Sequence, residues 1–347
     1  MDFDDYDPPP ERIALIAADG YRLGAYVWRG RPSSEASTRP VVVVNPATSV
    51  RCRYYFRFAA WLCRHGCDVL LYDYRGIGES RPPDLAALDA SWLDWGERDC
   101  EAALRYARVA FPGQPIDVVA HSIGGFALGL APSNRYVRRV FTMGAQYAHW
   151  RDYAPRSRLA MRLKWHVAMP VLAHLFGYVP AARLGWMEDT PRGVALAWSR
   201  SRARFEDTYA RAPLARTPEQ RAALVARFAG LRAPTLALSV TDDPFGTIAA
   251  VERLLRYFTH SRATHLRLAP AQIGAARIGH FAFFNAFFNA RFDATLWPIA
   301  RDWLRDGRLS AATPGTIVSG GFDGEAEAEA EANCASADAL ADPRPWR

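Results

Sequence analysis

Short apolar, β-branched runs alternate with longer amphipathic stretches over residues 41–145. "VVVV" at 41–44, "DVLLYDY" at 68–74, "IDVVA" at 116–120 and "VRRVFTMGA" at 137–145 read as strands. Unbroken apolar runs of that length suit strands buried on both faces. Between them, Tyr54 to Arg64, closed by Gly66, and residues 92–110 carry helical spacing, and "GGFALGLA" opens another helix. Upstream, "IALIAADGYRLGAYVW" at 13–28 splits around Asp19-Gly20, a hairpin signal. Alternating strand and helix calls for a mostly parallel sheet with helices on both faces, joined right-handedly.

The alternation stops at residue 147. From there to about 230 the chain is rich in Arg, Trp and Ala and reads as helix after helix, broken at Pro155, Pro170, Pro180, Pro191 and Pro213. The strand pattern returns with "PTLALSV" at 234–240. A helix follows at 247–258, then a last strand, "HLRLA", at 265–269. The helical block is thus an insertion within one sheet. "FAFFNAFF" at 281–288 predicts the buried face of a further helix. Beyond 308 the chain turns small and polar, and the Glu-Ala repeat at 324–332 has no apolar periodicity, so 308–347 is expected to be disordered.

Composition narrows the picture. Of 347 residues half are hydrophobic, enough for a large core, and no run is long and apolar enough for a membrane helix. The acidic, proline-rich "MDFDDYDPPP" lacks the basic start and apolar middle of an export signal. Five cysteines (Cys52, Cys63, Cys67, Cys100, Cys334) form an odd, sparse set that suits free thiols and a reducing compartment, here the cytoplasm. Cys63 and Cys67 flank His65, but the spacing matches no common zinc pattern, and buried helix thiols account for it better. The net charge of +7 understates the basic body, because seven acids lie in residues 316–347. Arginines are scattered evenly and Lys164 is the sole lysine, so no nucleic-acid partner is expected.

The chemistry gathers at strand ends. "VVAHSIGG" at 118–125 carries Ser122 out of a strand into a glycine-rich helix start, the setting of a nucleophile elbow. Residues two before and two after the serine approach each other and must be small; they are Ala120 and Gly124. A serine needs a base, and the base an orienting acid, in the chain order Ser, Asp, His. Asp242-Asp243 ends the strand at 234–240, and Ile278-Gly279-His280-Phe281 follows the last one. An oxyanion needs two donors. One is the N–H of Ile123. The other comes from Asn45-Pro46-Ala47-Thr48, where proline has no N–H and Ala47 is the expected donor, with Thr48 next.

Together these segments resemble the α/β-hydrolase superfamily over about residues 11–307. "DYRGIGES" at 73–80 is similar to its D-x-R-G-x-G-x-S turn. "HSIGG", "DDPFGT" and "IGHF" resemble its nucleophile, acid and histidine segments. The likeness is nearest to the branch with monoacylglycerol lipases and serine aminopeptidases, and to bacterial hydrolases without a settled substrate. It implies an α/β-hydrolase fold in which 1–146 and 231–307 form the core and 147–230 an inserted helical cap. It implies a Ser122–His280–Asp243 triad acting on an ester or thioester. Asp243 is preferred over Asp242 because the family carries an apolar residue two positions after the acid, here Phe245. Two departures stand out: Asn45-Pro46 replaces the usual His-Gly, and Ala120 replaces the first elbow glycine.

No cofactor or metal is implied, and the partner is a small acyl substrate, with no stable membrane insertion. "RGIGES" fits no phosphate-binding fingerprint and is read as a structural turn. The apolar stretch 167–179 is read as a helix packed on the core or lining the acyl pocket, and Trp165, Trp186 and Trp198 suit a pocket wall or core packing equally. An acyltransferase or amidase would use the same residues. A non-catalytic ligand-binding protein on this scaffold is the reading that the Asn45-Pro46 departure keeps open.

Overall fold

The computed structural model describes residues 8–30, 39–210, 217–284 and 292–320. The N-terminal hairpin pairs β1 (Glu11–Ile16) with β2 (Arg22–Trp28). The parallel strands are β3 (Val41–Asn45), β4 (Asp68–Tyr72), β5 (Ile116–His121) and β6 (Val137–Met143), with helices α1 (Phe56–Arg64), α2 (Trp92–Asp94), α3 (Glu101–Ala110) and α4 (Ile123–Leu130) between them. A π-helical stretch, Trp95–Cys100, joins α2 to α3. Next come α5 (Arg158–Leu163), α6 (Met169–Phe176), a two-residue hairpin β7 (Tyr178–Val179) and β8 (Thr190–Pro191), α7 (Arg192–Ser199), α8 (Phe205–Thr208) and α9 (Pro218–Ala229). The sheet resumes with β9 (Thr235–Val240), α10 (Ile248–Leu255), β10 (Ala263–Leu268), α11 (Trp297–Asp306) and β11 (Thr316–Ser319).

Nine strands form one sheet in the order β1-β2-β4-β3-β5-β6-β9-β10-β11. From β4 to β10 every neighbour pair is parallel, and the hairpin at one edge and β11 at the other are antiparallel. The four valines of β3 show why this chain makes such a sheet. Val41 and Val43 join the apolar layer under α3, α4 and α9, and Val42 and Val44 join the layer under α1 and α11. All four are fully buried. Burying each side chain contributes about 1.5–3 kcal/mol, which favours a strand covered on both faces.

The turn after β4 is held by buried charge. Asp73 accepts the N–H of Cys52 at 2.6 Å and of Glu79 at 2.9 Å. Ser80 Oγ donates to the carbonyl of Asp73 and accepts the N–H of Gly24. Arg75 donates to Asp99 and to Asp19, each at 2.7 Å, and ties the turn to the α2–α3 segment and the hairpin. The structural reading of "RGIGES" therefore holds.

The helical insertion has two faces. Met161, Trp165, Met169 and Ala173 are buried, whereas Leu159, Leu163, Val167, Val171 and Leu175 are at least half exposed. Both sets repeat every four residues, and the π-helical Lys164–Ala168 between α5 and α6 keeps them in line. The stretch 167–179 thus packs inward on one side only. Among the described residues no helix is long and apolar enough to cross a membrane.

Two expectations need correction. Order does not stop at 308: Thr316–Ser319 adds a ninth strand to the eight that the sequence pattern suggests, pairing with β10. Its residues are largely exposed, so no burial pattern marks it; the open edge of β10 supplies the hydrogen-bond partners. Residues 321–347, the rest of the expected tail, lie outside the described residues. At 282–284 a single 3-10 turn with Phe283 and Phe284 buried stands where a helix is expected, and 285–291 lie outside the described residues. The thiols of Cys52, Cys63, Cys67 and Cys100 are buried and not disulfide-bonded, and His65 donates through Nδ1 to the carbonyl of Trp61.

Candidate active site

Ser122 stands between the end of β5 and the start of α4 with φ 55° and ψ −119°. Only Ser49 shares a positive φ among described non-glycine residues. Such a backbone costs about 1–3 kcal/mol and persists only where its surroundings impose it. Here the N–H of Ser122 donates to the carbonyl of Met143, and its own carbonyl accepts the N–H of Gln146. The elbow geometry is therefore present despite the missing first glycine. Ala120 lies in register between Asn45 and Thr142 with its methyl buried in the core. The second glycine is a different matter, because a Cβ on Gly124 would lie 2.4 Å from the backbone oxygen of Asn45.

His280 Nδ1 donates to Asp243 Oδ2 at 2.7 Å. Asp243 is 2 % exposed, and its Oδ1 accepts the N–H of Phe245 at 2.7 Å. Burial by itself would raise this carboxyl. The His280 charge and hydrogen bond, with the N–H groups of Gly246 and Phe245, outweigh it and hold the group below its ordinary value. Asp242 does other work: its Oδ2 accepts the N–H of Ile278 and anchors the loop that carries His280. Of the two adjacent carboxylates, Asp243 is the one on the imidazole.

Ser122 and His280 line one cavity of about 320 Å³. No hydrogen bond joins them among the described residues; such bonds often tighten only around substrate. The walls are aromatic. Trp165 stacks on Trp198 at 4.7 Å and meets Trp186 edge-on at 5.5 Å, and all three line the cavity with Phe245. α5 and its two ends supply part of the wall: Ser157 just before it, Met161 within it and Lys164 at the start of the π-helical stretch all reach the cavity.

A family model described as serine aminopeptidase S33 matches residues 36–269. The chain belongs to that family. It is a serine hydrolase of the α/β-hydrolase superfamily, and similar solved structures share the fold. An esterase from Pyrococcus furiosus superposes with a TM-score of 0.52 at 12% identity, over 88% of this chain and 96% of that one. The protein DcsB, in complex with a substrate analogue, gives 0.54 at 12%, over 86% and 100%. A 2,6-dihydroxy-pseudo-oxynicotine hydrolase gives 0.50 at 14%, over 91% and 72%. No curated protein matches the chain.

In this S33-family hydrolase the oxyanion loop departs from expectation. The N–H of Ala47, the expected donor, is already engaged: it donates to the hydroxyl of Tyr55 at 2.8 Å. Thr48 is the next residue, it lines the cavity, and no described residue accepts its N–H. Ile123 begins α4, where an N–H has no intrahelical partner.

Tyr55 and His121 are the residues that sequence reasoning missed. His121 is fully buried, and its pKa is pushed down to about 3 by desolvation and by the neighbouring His280. It is therefore neutral. Its Nε2 lies 2.8 Å from the His280 carbonyl, which can only accept, so Nε2 carries the proton. Nδ1 must then accept, and Tyr55 donates to it at 2.8 Å. A single relay runs from the Ala47 amide through Tyr55 and His121 to the backbone of His280. No local spacing signals it, because its members are far apart in the chain.

The elbow yields a direct prediction. Gly124→Ala must push the elbow away from Asn45, and displacements of this kind cost about 10–100-fold in rate. Ala120→Gly, by contrast, is expected to keep its labelling rate by a fluorophosphonate within about threefold, since it removes only a methyl. Equal labelling rates for the two variants would refute this account of the elbow.

Proposed function

We propose that the protein hydrolyses an ester or thioester with an apolar acyl part through a covalent acyl-enzyme. The single observation that carries this is the meeting in one aromatic cavity of Ser122, on a strained elbow, with a His280 whose Nδ1 is held by Asp243. With Nδ1 donating to Asp243, neutral His280 offers an unprotonated Nε2 as the base. Ser122 Oγ attacks the acyl carbon as His280 removes its proton. The tetrahedral oxygen is held by the N–H groups of Ile123 and Thr48. The bond to the leaving group breaks as His280 returns the proton to it. Water then repeats the sequence on the acyl-enzyme and frees Ser122. The fixed carboxylate of Asp243 stabilises the imidazolium formed at each step.

Ester rather than aminopeptide cleavage is favoured by the charges around the cavity. An aminopeptidase must hold a protonated α-amino group, which calls for a carboxylate. Among the described lining residues there is no Asp or Glu, and the one permanent charge is the ammonium of Lys164.

The test is labelling of the folded protein by a fluorophosphonate, with the modified peptide located by mass spectrometry, followed by turnover of 4-nitrophenyl esters of increasing chain length. Modification of the peptide holding Ser122, with ester turnover, supports the reading. A folded protein that neither labels nor turns over any ester overturns it.

A further inference from the structure

Lys164 is the sole lysine of the chain, and it opens the π-helical stretch that follows α5, where it lines the cavity. Its Nζ lies 4.4 Å from the ring centroid of Trp165 and 4.4 Å from that of Trp186. Among the described residues no carboxylate forms an ion pair with it, and the cavity lining contributes none. Desolvation lowers its pKa from the ordinary lysine value. The two indole faces offset part of that cost through their negative quadrupoles, and they fix where the ammonium sits.

A second group in the same cavity also lacks a partner. Gln146 is 3 % exposed, lines the cavity, and its Oε1 has no hydrogen-bond partner. Buried polar groups in folded proteins are paired, so this acceptor marks a polar spot on the cavity wall that a donor such as a water fills; being an acceptor, it does not hold the anion itself. The cavity thus offers an unpaired cation between aromatic faces, one unpartnered amide oxygen, and otherwise largely apolar walls.

We infer that the cavity takes an ester whose non-reacting end is a carboxylate, bound by Lys164, with an apolar spacer lying along the tryptophans. This rests on the serine-hydrolase reading above and narrows its substrate class. The carboxylate replaces the water that Lys164 loses, and the spacer covers Trp165, Trp186 and Trp198. Trp165 and Trp186 hold the ammonium in place, so little side-chain freedom is lost when the anion arrives.

The experiment compares two substrates that differ only at the far end: 4-nitrophenyl hydrogen adipate, which carries a carboxylate, and its methyl ester, which does not. In the wild type kcat/KM is expected to favour the acid by about tenfold or more. Lys164→Met is expected to lower that preference by about 10–100-fold, the range of a charge-assisted hydrogen bond. Lys164→Arg restores most of it, because the charge is kept. A wild-type preference for the methyl ester, or one that Lys164→Met leaves unchanged, overturns the inference.

A binding measurement separates this inference from the hydrolase reading. Monomethyl adipate is titrated into Ser122→Ala protein and followed by tryptophan fluorescence, which Trp165 and Trp186 report. Affinity about tenfold or more weaker after adding Lys164→Met supports the anion site even if no ester is ever turned over. Equal affinity with and without the lysine overturns the site even if neutral esters are hydrolysed.

Discussion

Ser122→Ala is expected to lower kcat on a 4-nitrophenyl ester about a million-fold, and Asp243→Asn about ten-thousand-fold. Asp242→Asn should stay within about tenfold. Removing Ser122 Oγ removes the attacking atom, so only the remaining oxyanion donors and binding assist the reaction. Asp243→Asn keeps shape but changes proton bookkeeping: an amide nitrogen facing His280 Nδ1 favours the tautomer with its proton on Nε2, which cannot accept from Ser122. Asp242 touches the backbone of Ile278 rather than the imidazole, and an asparagine oxygen can still accept that N–H. Steady-state kinetics on the three purified variants, each checked by circular dichroism, decides the matter. An Asp242→Asn loss as large as that of Asp243→Asn would remove the basis for assigning the acid.

Asp99→Ala is expected to destabilise the fold by about 3–5 kcal/mol, read as a lower urea midpoint at unchanged slope. Arg75 is nearly inaccessible, with 3 % of its side chain exposed, and Asp99 is completely buried. Removing the carboxylate leaves a guanidinium in the interior with its charge only partly answered by Asp19, whose side chain is 30 % exposed. That residual partner places the loss near the lower end of the range. The consequences also spread, because Arg75 joins the turn after β4 to the hairpin and to the π-helical stretch before α3. A loss under about 1 kcal/mol would show that the pair adds little beyond its own desolvation.

Much of this molecule was legible residue by residue. Val41–Val44, the Asp19-Gly20 hairpin and the run ending in His121 each declare their structure within a few residues, because burial on two faces and tight turns are local demands on sequence. The candidate triad was legible for the same reason: Ser122 and Asp243 sit just beyond strand ends and His280 in the loop after β10, each inside a short recognisable segment. The helical insertion showed itself as a break in the alternation.

What could not be read were contacts between distant segments. Whether Asp242 or Asp243 faces His280 depends on how a one-residue step is oriented after β9; only the family resemblance, through Phe245, favoured Asp243, and the contact itself is a matter of tertiary structure. The engagement of the Ala47 amide by Tyr55 needs the 3-10 turn Cys52–Tyr55 before α1 folded back on the loop after β3, and His121 joins that relay only once the loop carrying His280 lies across it. The strand β11 exists because β10 leaves an edge open, and Lys164 becomes a cavity residue because the junction of α5 and the π-helical stretch lines the same cavity as Ser122. The sequence by itself determined the alternating core, the elbow and the order of Ser, Asp and His, since these rest on backbone conformation and burial within single elements. Hydrogen-bond partners, the engagement of the Ala47 amide and the charge lining the cavity were decided by the tertiary structure alone, since each depends on through-space distances that no spacing along the chain encodes.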